Sequence, residues 1–169
     1  MRRGWIALPL LTACTPDDPG PPPGACDGLG TPSVTVGTGL DVFTPYEDGA
    51  DLPFWHGPQG GWHVYGSVQV AGLFVPTTRD YADPDNLIVS FAITDAAGAS
   101  LAGYADLPRL FTPDAHGVPT LLGERLILSI MDPADVEGAT VTVTATVSDA
   151  CGSTVSDGQS GVLHLSADP

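Results

Sequence analysis

Lysine is absent, and basic residues number only 5, all of them arginine. Acidic residues number 20, so the chain carries a formal net charge of −15. With no basic surface there is nothing to displace counterions from phosphate, which excludes nucleic acid as a partner. Charged residues are scarce overall, 15% against 43% hydrophobic; a charged disordered chain has the opposite balance. No apolar run reaches the roughly 20 residues that a membrane-spanning helix needs. Catalytic signatures are missing too: there is no phosphate loop, no dinucleotide fingerprint and no HExxH. Gly158-Gln159-Ser160-Gly161-Val162 puts Val162 where a nucleophile elbow needs its last glycine. The sequence thus offers no ground for an enzyme, and no cofactor is expected.

Glycine (21) and proline (17) are abundant among the 169 residues. That is heavy for a helical protein and usual for short strands joined by turns. From about residue 32 the hydrophobic pattern has a period of two. Ser33 to Val36 and Leu40 to Phe43 are short alternating runs. In the stretch from Trp62 to Ala71, Trp62, Val64, Val68 and Val70 oppose His63, Tyr65, Ser67 and Gln69. Leu87, Val89, Phe91 and Ile93 form another face, as do Leu126, Leu128 and Ile130. Thr140 to Val147 is the cleanest, with valines and Ala145 on one face and threonines on the other, and Val162 to Leu165 closes the chain. Such alternation predicts half-buried antiparallel strands. The fold class expected is all-β, an antiparallel β-sandwich over residues 30–167. The segment from Ala96 to Thr120 lacks clear periodicity, which suggests a loop or short helix.

The N-terminus differs in kind. Met1-Arg2-Arg3 is a basic start, and Gly4 to Ala13 (GWIALPLLTA) is an apolar run too short to span a bilayer. Leu11-Thr12-Ala13-Cys14 follows: an aliphatic residue, two small ones, then cysteine. This stretch resembles the signal peptide and lipobox of bacterial lipoproteins. The resemblance implies cleavage after residue 13, acylation of Cys14 and a membrane partner through the lipid anchor. Acyl chains at about 0.8 kcal/mol per buried methylene would hold the protein there stably. Thr15, not Asp, follows the cysteine, which by resemblance to the sorting rule of enterobacterial lipoproteins implies the outer membrane of the cell envelope. Residues 14–29 then read as a tether, since Thr15 to Gly24 (TPDDPGPPPG) has no large apolar residue and five prolines that favour an extended chain. Thr140 to Gly152 (TVTVTATVSDACG) resembles the penultimate strand and turn of bacterial immunoglobulin-like extracellular domains, so the sandwich is expected to be immunoglobulin-like.

If Cys14 is lipidated, Cys26 and Cys151 remain as an even pair in an exported chain, and a disulfide between them is expected. Free thiols or a metal pair are the alternatives, and the missing CxxC pattern weakens the second.

The most unusual local sequence is His56-Gly57-Pro58-Gln59-Gly60-Gly61-Trp62-His63, just after Phe54-Trp55. Trp55, His56, Gln59, Trp62 and His63 are the candidate binding loop, although burial of Trp55 in the core competes with that reading. The stretch resembles one found in secreted proteins and lipoproteins of soil and marine bacteria, a likeness that brings no activity with it. His56 and His63 are also weak metal candidates, because imidazoles suit zinc or copper but a site needs three or four ligands. The plainer reading is a long hairpin loop with His63 on the outer face of its strand. Asp80, Asp83 and Asp85, with Asn86, are weak calcium candidates. Their spacing is not that of an EF-hand, and Asp and Asn are also ordinary turn residues. The functional expectation is therefore a non-enzymatic binding or structural module at the envelope, with a protein or glycan as ligand. An envelope metal-binding protein using His56 and His63 is the alternative, and a hydrolase of unrecognised type comes after it.

Overall fold

The structure, a computed structural model, describes residues 20–58 and 60–167. The expected signal peptide, the lipobox with Cys14, the start of the tether and Gln59 lie outside them. The fold is all-β, and ten strands make two layers. In the first layer β1 (Ser33–Thr38), β4 (Trp62–Ala71) and β8 (Pro119–Leu128) are neighbours, with the short β2 (Thr44–Pro45) and β7 (Thr112–Pro113) at its margins. The second layer runs β10 (Thr154–Leu165), β9 (Thr140–Ser148), β5 (Leu87–Asp95), β6 (Ser100–Arg109).

The strand β3 (Ala50–His56) belongs to both layers. Its first part pairs with β10, from Ala50 opposite Gly161 to Phe54 opposite Leu165. Its end pairs with β4, with Trp55 opposite His63 and His56 opposite Trp62. The β3–β10 pair is parallel and all others are antiparallel. It joins strands far apart in the chain, so no hairpin dictates its direction. Where β3 leaves the first layer, β4 loses a neighbour on that side. The buried Tyr46 hydroxyl fills the gap and donates to the Tyr65 carbonyl at 2.7 Å. Burial pushes the Tyr46 phenol up to about 12.

The core lies between the layers. β9 contributes Val141, Val143, Ala145 and Val147, all buried, while its threonines face outward. Val64, Val68 and Val70 of β4 and Val89, Phe91 and Ile93 of β5 complete the pattern read from the sequence. Phe91 reaches the opposite layer at Gly66, where a Cβ would stand 2.9 Å from its ring. Asp157 of β10 also crosses between layers, accepting from the Val36 amide at 2.8 Å. The Cys26–Cys151 disulfide is present and ties the N-terminal segment to the turn after β9. Within the expected tether, residues 23–28 form turns instead of running extended. Gly24 and Gly28 take positive φ there, and the Asp27 amide donates to the Gly24 carbonyl.

Four other local expectations are corrected. Leu40 to Phe43 is no strand: Gly39, at φ 122, lets the chain fold back so far that a Cβ there would lie 1.8 Å from the Val42 carbonyl oxygen. The segment from Ala96 to Thr120 is no loop or helix but carries β6 and β7. The pairing of β6 with β5 slips at Ala105–Asp106, where Asp106 takes φ 53, and again at Leu101, and these bulges break its alternation. The run at 126–130 is only the end of β8 and outlasts it by two residues, and 162–165 is only the end of β10.

Candidate functional site

The β3–β4 hairpin sets where the two candidate histidines go. Directly opposed residues share a face and neighbours along a strand alternate. His56 therefore stands beside Trp62 on the core-side face, with ring centroids 4.8 Å apart, and Trp62 packs edge-on against Phe54 at 5.9 Å. Trp55 and His63 share the outer face with Tyr65, whose ring lies 5.2 Å from Trp55 and 4.9 Å from His63. The imidazoles thus sit on opposite faces of one ladder. Among the described residues no three of His, Cys, Asp and Glu are grouped to hold a metal.

Trp55 is half-buried on the outer face and not in the core; Phe54 takes the core position. His63 is on the outer face as expected, yet only 5% exposed. Trp55 Nε1 and His63 Nε2 are buried with no hydrogen-bond partner among the described residues. Burial lowers the His63 pKa, with Arg125 and then His56 adding to the effect, so the ring is held neutral. His56 is exposed.

The acidic loop is occupied with its own turns. Asp80 Oδ1 accepts from the Ala82 amide and Asp83 Oδ1 from the Asp85 amide, both at 2.9 Å, while Asp83 Oδ2 accepts from the Thr78 hydroxyl. The buried Asn86 donates to the Asp80 carbonyl.

A concavity of about 900 Å³ lies elsewhere, on the outer face of the first layer. Its floor is a row of polar side chains in register across four strands: Thr35 opposite Gln69, Gln69 opposite Thr120, Thr120 opposite Thr112. One wall is the chain that folds back after Gly39, with Asp41, Val42, Phe43 and Pro45; the other is the β7–β8 turn, with Asp114 and His116. The first wall is anchored because Ser67 Oγ donates to the Gly39 carbonyl at 2.9 Å. Phe43 rests on Gly37, where a Cβ would stand 2.7 Å from the ring. The second wall is anchored through Asp114. Its Oδ1 accepts from the His116 and Val118 amides at 2.8 and 2.9 Å, and its Oδ2 from Gln69 Nε2 at 3.0 Å. These bonds, chiefly that from the Val118 amide, hold the Asp114 carboxyl below the usual carboxylate range. A general acid needs the opposite shift.

Sequence reasoning missed this groove. Thr35 and Gln69 were legible as outward positions of their strands. The signal for the wall was Gly37-Thr38-Gly39, which places two glycines where the chain folds back beneath Phe43. Nothing local relates that wall to Asp114. No family model, no curated protein and no solved structure matches the chain.

Proposed function

We propose that this chain is a lipid-anchored binding module of the bacterial cell envelope, without catalytic activity, whose ligand lies in the groove between Phe43 and Asp114. The single observation that carries the reading is the groove itself. It has the volume of a ligand site, a polar floor fixed by strand register and walls fixed by hydrogen bonds. Asp114, whose carboxyl is held low by its amide partners, is a poor proton donor at neutral pH and serves the groove as an anchor for Gln69 and the β7–β8 turn. The anchor rests on the lipobox-like Leu11 to Cys14, and Thr15 after it favours the outer membrane. Two layers packed face to face, one strand shared between them, support assigning the sandwich to the immunoglobulin-like class.

The test has two arms. In a diderm bacterial host the full chain should fractionate with membranes and carry acyl mass on Cys14. Cys14→Ser should release it at the mass of an unacylated chain. The soluble domain, incubated with a captured ligand, should return it chemically unchanged. Membrane fractionation unaltered by Cys14→Ser refutes the anchor, and turnover of the ligand refutes the non-enzymatic reading.

A further inference from the structure

We propose that the groove on the outer face of the first layer binds a neutral oligosaccharide; this deepens the binding-module reading and rests on it. Three features of the groove select that class.

The first is charge. No arginine lines the groove, and its ionisable groups are the carboxylates of Asp41 and Asp114 with the imidazole of His116. In a chain of net charge −15, an anionic ligand such as a uronate, sulfated or phosphorylated polymer enters against the field and meets no guanidinium or ammonium. The second is the state of the backbone. The floor strands are paired with one another along Thr35, Gln69, Thr120 and Thr112. The strands that edge the floor, β2 and β7, are two residues long and each ends in a proline, Pro45 and Pro113, which has no amide to donate. A peptide therefore finds side chains and little edge, and strand addition is how extended peptides gain affinity on a sheet. The third is the kind of side chain offered. Thr35 and Thr112 are exposed hydroxyls, which donate and accept alike, and Gln69 offers an amide. Val42, 74% exposed, and the Phe43 ring supply apolar surface beside them. Sugars present that same mixture, hydroxyls at the ring's rim and C–H groups on its faces. The volume suits an oligosaccharide better than a single ring.

The site is also built before the ligand arrives. Asp114 fixes the Gln69 amide, and Gly37 seats Phe43. Little ordering cost is then left for binding.

The experiment titrates the soluble domain, by calorimetry, with uncharged gluco-, xylo- and manno-oligosaccharides of about six units. Oligogalacturonate and an uncharged Thr/Pro-rich peptide are the comparison arms. At least one neutral sugar should bind saturably, and oligogalacturonate should not. Phe43→Ala should weaken binding by about tenfold or more, equivalent to about 1.4 kcal/mol. Thr35→Trp should abolish it by filling the floor from an exposed position, with the melting temperature unchanged, so its effect cannot be ascribed to misfolding. Neutral-sugar binding that survives Thr35→Trp, equal binding of oligogalacturonate, or no binding by any neutral sugar overturns the inference. If the peptide alone binds and Thr35→Trp abolishes that, the sugar inference falls and the binding-module reading stands. If nothing binds in any arm, both fall.

Discussion

His63 lies against Trp55 and Tyr65 with its Nε2 unpartnered among the described residues, so protonation there charges a group that burial has stripped of water. The charged groups near it give no help, since Arg125 and His56 repel a positive ring. Its folded pKa is below the ordinary 6.5, so the unfolded chain binds the proton more readily. The stability this contributes is complete above 6.5 and is lost as pH falls through the lowered folded value. Chemical denaturation at about pH 7.5 and about pH 5 should show wild type losing more stability than His63→Leu. Equal losses would mean that other groups account for the acid response. Tyr46 is the second residue whose role can be isolated. Tyr46→Phe keeps the ring but leaves the Tyr65 carbonyl unsatisfied where β3 departs. The expected cost is about 1–3 kcal/mol, read from the denaturation midpoint. A change below a few tenths would show that solvent reaches that carbonyl.

Glycines decide how closely the elements approach. At Gly161 a Cβ would stand 2.5 Å from Leu52 Cγ and 2.7 Å from the Ala50 carbonyl oxygen. The parallel β3–β10 pair therefore depends on the missing side chain, and the backbone contact leaves little room to relax. Gly161→Ala should destabilise the domain by about 1–3 kcal/mol, as overpacking does. Amide exchange should rise first at Ser166, whose amide donates to the Phe54 carbonyl of β3. Uniform exchange across all strands would argue that the pair is not a local weak point. β6 teaches the related lesson about reading strands. Its bulges at Leu101 and Asp106 shift the pairing with β5, so a segment fully engaged in a sheet carries no clean alternation. β9, with valine and threonine in strict alternation, has no such interruption and was legible end to end.

At the scale of the whole molecule, the Cys26–Cys151 bond closes a loop of sequence separation 125. A loop that long confers about 4–5 kcal/mol on the chain-entropy account, an upper figure. The double variant Cys26→Ser, Cys151→Ser should thus unfold at clearly lower denaturant, with the groove intact at low denaturant because neither cysteine lines it. An unchanged midpoint would place the bond's effect outside stability. The chain's acidity acts at this scale too. At −15 the charge favours solubility and directs the groove toward uncharged ligands, without choosing the fold.

The sequence alone determined the quantities that depend on neighbours along the chain. Alternation in β4, β5 and β9 fixed which side chains face the core, because side-chain direction in a strand has a period of two. Turn chemistry and an even pair of cysteines pointed to an all-β domain closed by a disulfide. The side of β4 on which His63 sits was legible for the same reason. Its burial was not, since that depends on Trp55 and Tyr65 arriving over the same face. Only the tertiary structure decided the groove. Thr35, Gln69, Thr120 and Thr112 lie on four strands, and they become one floor through cross-strand register. Register is set by the packing of both layers together, so no local run of residues records it.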